Sequence, residues 1–218
     1  MQSVAFLYPL DEPGSPFRRL CQASTMLGKV LSHRFRDKIL GETERFSVAS
    51  QLYLDLSILE RKTLEEAARS PDYLAQAAAL SMTLSALCML CIIYSCPVAC
   101  GQADKKLSKE ATDMQRQAMD GLKSVSRSIS DLVDHVHSAT QSPQDLGKVS
   151  PMVMGAMYKA AANYAWMVRE NGDENSQISL DAIRHCFRRL GSRWRNAAEY
   201  LRILEAQEFT YAVGGAGP

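Results

Sequence analysis

The sequence predicts an all-α protein, a single bundle of about six helices, several of them long, arranged around a buried central helix. Three observations lead there. Apolar residues recur three and four positions apart through most of the 218 residues. No segment alternates apolar and polar residues with period two, and no strand-and-turn pattern or fixed repeat appears. One stretch, Tyr73 to Ala103, contains no Asp, Glu, Lys or Arg, the pattern of a helix that is apolar on all sides.

Residues 1–14 are expected to be disordered or extended, and helical sequence is expected over 15–209. Ser15-Pro16 places a capping hydroxyl before a proline at the first helical position, where the missing N–H costs nothing. The first helix therefore starts there, with Leu20, Leu27, Val30 or Leu31, and Phe35 as its apolar stripe. Arg18, Arg19, Lys29, Arg34 and Arg36 mark a basic outer face, and Gly41 ends the helix. Thr43 is the expected cap of a second helix, whose Phe46, Leu52, Leu56 and Leu59 keep the helical period. Ser70-Pro71 repeats the cap-plus-proline signal ahead of the uncharged helix, which Pro97 stops near Cys96. A fourth helix is expected from about Lys106 to His137, on Leu107, Met114, Met119, Leu122, Val125, Ile129 and Leu132.

Thr140 to Lys148 reads as a loop. Ser150-Pro151 opens a fifth helix, closed by Asn171-Gly172, and Ser179 is the expected cap of the last long one. There Leu180, Ile183, Phe187, Leu190, Trp194, Ala197, Leu201 and Leu204 form a packing seam. Tyr158, Tyr164, Trp166, Trp194 and Tyr200 are assigned to packing between these last two helices. The Gly-rich tail, 210–218, is expected to be disordered.

Composition bounds the function. Apolar residues make up 46% and charged residues 22%, with a net charge of +1, so bulk charge gives no attraction to nucleic acid or anionic lipid. The N-terminus lacks the basic start and apolar run of a secretory signal. Cys21, Cys88, Cys91, Cys96, Cys100 and Cys186 are then read as reduced thiols of an intracellular protein. The uncharged run is long enough to cross a bilayer, with a span at about 74–96 as the membrane-associated alternative. Its many Ala residues, its interruption by Gln76, Ser81, Thr83, Ser85 and Ser95, and its weak aromatic flanks favour a bundle core.

Candidate chemistry is sparse. Cys88-x-x-Cys91, followed by Cys96 and Cys100, has a spacing that thiolate metal sites use. Its Leu-, Met- and Ile-rich setting points to packing, because ligand thiolates need electropositive, accessible surroundings, and no metal ligand is assigned. His135 and His137 lie two apart, on different sides of a helix, and read as residues near a helix C-terminus. Arg184, Arg188, Arg195 and Arg202, with Arg189 and Arg193, lie off the apolar seam. They form either a solvated face or a basic surface for an acidic partner or a phosphate backbone. No nucleophile elbow, P-loop, dinucleotide fingerprint or H-E-x-x-H is present, so no catalytic or cofactor-binding residue is assigned and the chain is not read as an enzyme.

Ser150-Pro151, the run Ala160-Ala161-Ala162-Asn163-Tyr164-Ala165-Trp166, and the closing helix with Leu190, Arg193-Trp194, Ala197, Tyr200-Leu201 and Leu204-Glu205 carry a resemblance. This stretch resembles the C-terminal part of the middle homology region of fungal zinc-cluster transcription factors, the fungal-specific transcription factor domain. More weakly, the Cys- and Leu-rich Leu80 to Pro97 stands where that family has a core helix leading into a His-Arg-Pro turn. This chain has Tyr94-Ser95-Cys96-Pro97 instead. The resemblance implies a nuclear regulator of transcription, answering to partners in the transcription machinery or to a small-molecule effector, with homodimerisation open. Family members bind DNA and zinc through two N-terminal C-x-x-C-x6-C arms, which this chain does not contain. Zinc and DNA are therefore expected only through a module outside it, the chain being a fragment, a truncated gene model or a diverged descendant. A stand-alone helical adaptor or small-ligand sensor is the alternative.

Overall fold

A computed structural model describes residues 9–10, 12–36, 40–95 and 108–214, which hold seven α-helices, one short 3₁₀ helix and no strand. The fold class is all-α. The chain divides into two compact units, Met1–Val125 and Ser126–Pro218. The division falls inside a long helix, α4, Lys109–Ala139. Its buried stripe of Met114, Leu122, Val125, Ile129 and Leu132 runs through the dividing point without interruption, so the sequence reads as one bundle and shows no linker.

The first unit holds α1 (Pro16–Arg36), α2 (Glu42–Arg69), α3 (Leu74–Ser95) and the first half of α4. The uncharged run forms α3, which packs against α1 and α2. By length and composition α3 could cross a membrane, yet 15 of its 22 residues are buried inside this unit. Its polar residues are accommodated locally: the Ser81 and Thr83 hydroxyls donate to the carbonyls of Ala77 and Ala79, at 2.6 and 2.9 Å. In α2 the predicted Phe46, Leu52, Leu56 and Leu59 are all buried. Burying one such side chain stabilises the fold by about 1.5–3 kcal/mol.

Several boundaries move for local reasons. Gly41 is the N-cap of α2 rather than the end of α1, and Thr43 lies inside the first turn, where Glu42 and Glu44 put negative charge at the positive end of the helix. Ser70 closes α2 instead of opening α3. The cap of α3 is Asp72, whose carboxylate accepts the Leu74 N–H at 3.0 Å. Helix α4 starts at Lys109 and reaches Ala139. Pro97, Lys106, Leu107, Cys96 and Cys100 lie outside the described residues.

Of the predicted α1 stripe, Val30 is buried, but the buried face centres elsewhere. Arg19, Gln22, Ala23, Met26, Val30 and His33 are buried, whereas Phe35 is 80% exposed. Hydropathy misplaces the face because three of its six residues are polar and satisfied inside. Arg19, expected on the basic outer face, is fully buried, with all five of its donors used. His33 Nε2 lies 2.6 Å from the Tyr94 hydroxyl of α3, and the Tyr94 ring meets Phe46 of α2 edge-on. One polar and one aromatic contact of Tyr94 thus tie three helices.

The second unit runs from the latter half of α4 through a 3₁₀ helix, Pro143–Lys148, to α5 (Met152–Asn171), α6 (Glu174–Gly191) and α7 (Arg195–Gly214). Asn171-Gly172 ends α5 as expected, with Gly172 left-handed at φ 62°. The single last helix predicted from Ser179 is instead two helices. Asp173 caps α6 through the Ser176 N–H, and the chain breaks at Ser192–Trp194. At the break the Trp194 indole N–H donates to the Leu146 carbonyl at 2.9 Å. Leu190 and Ala197 stay buried on either side of it, so the spacing of the seam survives and conceals the break. Helix α7 continues to Gly214, beyond the predicted start of the tail, and 215–218 lie outside the described residues.

Candidate functional site

The four arginines predicted to face a partner come together along α6 and α7, but each meets a carboxylate. Arg184 pairs with Asp181 on its own helix at 2.9 Å and reaches Glu208 on α7. Arg188 lies 3.5 Å from Glu205, while Arg195 and Arg202 share Glu199 at 3.8 and 3.3 Å. Only 11% of the Arg184 side chain is exposed. The Gln177 amide and the Arg184 guanidinium together hold the Asp181 carboxyl below its usual range, against the smaller effect of burial. The four guanidinium groups are matched by the four carboxylates of Asp181, Glu199, Glu205 and Glu208. Exposed pairs of this kind contribute about 0–1 kcal/mol each, so the face is a laced seam between two helices more than a basic patch. The spacing of the arginines is legible in the sequence, and so are the pairs three or four residues apart on one helix, Arg184–Asp181, Arg195–Glu199 and Arg202–Glu199; the pairs of Arg184 with Glu208 and Arg188 with Glu205 are not, because they cross a helix break.

The aromatic residues divide between several contacts. Tyr158 and Tyr200 stack, with ring centroids 4.8 Å apart, and Phe187 tilts against Tyr200. Tyr164 faces α4, its hydroxyl 3.0 Å from Ser130 Oγ. Trp166 is exposed, contrary to expectation, because it falls on the outer side of α5, away from Ala160, Ala161 and Tyr164. Trp194 is half-buried on the 3₁₀ helix.

His135 and His137 both lie inside α4 and diverge. His135 Nδ1 approaches the Asp131 carbonyl of its own helix. His137 turns to α6, its Nδ1 2.9 Å from Arg189 Nη1 and its ring edge-on to His185. A guanidinium only donates, so Nδ1 accepts and the proton of the neutral ring sits on Nε2. Arg189 also donates to the Thr140 carbonyl, satisfying an acceptor at the C-terminus of α4 where a cation is favoured. This contact between α4 and α6 escaped sequence reading because Arg189 looked like one more surface arginine.

Cys88, Cys91 and Cys186 are buried, and Cys21 is exposed. Burial pushes the Cys91 thiol up to about 12, with Cys88 adding to the effect, and burial pushes Cys186 up to about 11. These are protonated thiols packed as small hydrophobes, the opposite of metal-binding thiolates. Among the described residues no group of three or more His, Cys, Asp or Glu is placed to hold a metal ion.

A shallow cleft of about 350 Å³ opens in the first unit between the first turns of α2 and α4. Thr43, Ser47 and Ser50 line one wall, Glu110 and Asp113 the other, with Phe46 between them. Asp113 is engaged by Arg116 at 3.5 Å. The lining offers hydroxyls and negative charge, with Phe46 and Met114 as its apolar part. No family model, curated protein or solved structure matches the chain.

Proposed function

We propose that this chain is the regulatory helical part of a transcription regulator resembling the fungal zinc-cluster factors. It acts in the nucleus by responding to protein partners or a small-molecule effector, and DNA is contacted by a module other than these helices. The observation that carries this reading is that the Ser150 to Glu208 stretch coincides with α5, α6 and α7 of one compact unit. Several of the matching residues pack it: Ala160, Ala161, Leu190, Ala197 and Leu204 are buried, and Tyr200 stacks on Tyr158.

Electrostatics supports the division of labour. Binding a phosphate backbone depends on uncompensated cations that displace counterions, and Arg184, Arg188, Arg195 and Arg202 each meet a carboxylate. The burial of α3 suits a soluble regulator better than a single membrane span.

A reporter experiment tests the proposal. The full chain is fused to an unrelated DNA-binding module and compared with that module alone at the same promoter. Reporter output that departs from the module alone, and returns to it when the fully buried Phe187 is changed to Ala, is the expected result. Equal output with and without the chain contradicts it.

A further inference from the structure

Arg189 and Arg193 are the two arginines of the α6–α7 region that no carboxylate neutralises. Among the described residues neither makes an ion pair. Arg189 is hydrogen-bonded to neutral acceptors, His137 Nδ1 at 2.9 Å and the Thr140 carbonyl, which use two of its five N–H groups. The Arg193 guanidinium lies over the Trp194 ring, 5.7 Å from its centroid, and donates to no other described residue.

These two cations belong to one row. His185, Arg189 and Arg193 follow one another four residues apart, so each lies one turn beyond the last on the same side. The turn is kept past the end of α6, because the Arg193 and Trp194 N–H groups both donate to the Leu190 carbonyl, at 3.0 and 2.8 Å. His137 of α4 sits against the row, edge-on to His185 with ring centroids 5.6 Å apart. At the other end, Arg193 Nε would lie 3.8 Å from a Cβ at Gly147 of the 3₁₀ helix. His185 and Arg193 are exposed, and His137 and Arg189 are half-buried.

Like charges one turn apart repel. The attraction of a helix C-terminus for cations is confined to its last turn, so it accounts for Arg188 and Arg189 but not for Arg193 beyond the helix end. Asp134 of α4 is close enough for its charge to bear on Cys186, yet it forms no ion pair with the row. The row therefore holds positive charge and unused donors that the described residues do not match.

We propose that this row binds the phosphate groups of a small phosphorylated compound, an activity the purified chain should show whatever its place in transcription. Phosphate oxygens accept several charge-assisted hydrogen bonds at once, and the guanidinium fork fits them. His137 adds the N–H of its Nε2. Length decides against a nucleic-acid backbone, whose binding draws on many cations. His185 to Arg193 spans about 12 Å, and ion pairs bound the row on both sides, Arg184 with Asp181 before it and Arg195 with Glu199 after it.

The test titrates the full chain with pyrophosphate by isothermal calorimetry at constant ionic strength. Saturable binding is expected, weakened about tenfold or more by Arg193→Glu and about threefold or more by His185→Ala. Arg195→Glu, which changes the net charge equally but lies outside the row, should bind as the wild type does. All three positions are exposed, so the variants should keep the wild-type circular dichroism. Absence of saturable binding overturns the proposal. So does an equal loss in the Arg193 and Arg195 variants, which would assign the effect to bulk charge. A short oligothymidylate that binds more tightly than pyrophosphate, and is lost with Arg193→Glu, also overturns it and assigns the row to a nucleic-acid backbone.

Discussion

Arg19 and Glu66 meet through two parallel bonds, Nε to Oε2 at 2.8 Å and Nη2 to Oε1 at 2.6 Å, with the guanidinium wholly out of solvent. The remaining donors reach the carbonyls of Leu10 and Glu12 and the Gln22 side chain, while the Gly14 N–H donates to the same carboxylate. One buried ion pair therefore holds the segment before α1 against α1 and α2.

Breaking that pair from one side strands a buried charge. Glu66→Gln should destabilise the protein by about 3–5 kcal/mol, whereas Arg19→Met with Glu66→Met should cost far less than the two single changes added together. Urea unfolding of the four proteins in a double-mutant cycle checks this.

The same pair sets a pH dependence. Burial alone would raise the Glu66 carboxyl, but the Arg19 guanidinium and the Gly14 N–H outweigh it and hold the group below its ordinary 4.5. With the folded value depressed, the stability it contributes is complete above pH 4.5 and is lost as pH falls through the lowered value. Melting temperatures measured from pH 6 downward should fall more steeply below pH 4.5 for the wild type than for the Arg19→Met/Glu66→Met variant.

Gly121 and Gly28 should respond oppositely to alanine. A Cβ at Gly121 would lie 2.7 Å from Cys91 Sγ and 3.1 Å from the Tyr53 ring, whereas Gly28 faces open space. Gly121→Ala should lower stability by about 1–3 kcal/mol through overpacking. Gly28→Ala should raise it by about 0.5–1 kcal/mol through helix propensity. Thermal melts of the two variants separate the effects.

Thiol reactivity should follow burial. Maleimide added to the native protein at neutral pH should label Cys21 quickly and leave Cys88, Cys91 and Cys186 unmodified until denaturant is added. Peptide mapping by mass spectrometry reads each site separately.

At the α6–α7 break, Trp194→Phe keeps most of the ring and removes the donor to Leu146. It should cost about 1 kcal/mol, with Trp194→Ala costing more because Trp194 is half-buried. A Phe variant as unstable as the Ala variant would assign the contact to the indole hydrogen bond instead of to ring packing.

Much of the fold is legible where hydropathy and burial agree. The uncharged run becomes the core helix α3, the α2 stripe of Phe46, Leu52, Leu56 and Leu59 is buried, and Gly172 stops α5. Legibility fails where buried residues are polar, as with Arg19, Gln22 and His33, because partners distant in sequence make their burial favourable. It fails again at Ser192–Trp194, where a three-residue break preserves the apolar spacing. The candidate surface on α6 and α7 is legible as a set of arginines with carboxylates three or four residues away, and illegible in the Arg184–Glu208 and Arg188–Glu205 pairs, which depend on how two helices lie together. On α1 the apolar period takes in the outward Phe35 together with the buried Val30, because periodicity alone does not say which of two apolar stripes faces inward.

The most direct measurement is to map the 5′ end of the transcript and translate the reading frame upstream of Met1. The regulatory assignment predicts an in-frame upstream region encoding two C-x-x-C-x6-C arms with Lys and Arg between the cysteines. A transcript that starts at Met1, or an upstream region without those arms, would contradict it and leave a helical adaptor or ligand sensor in its place.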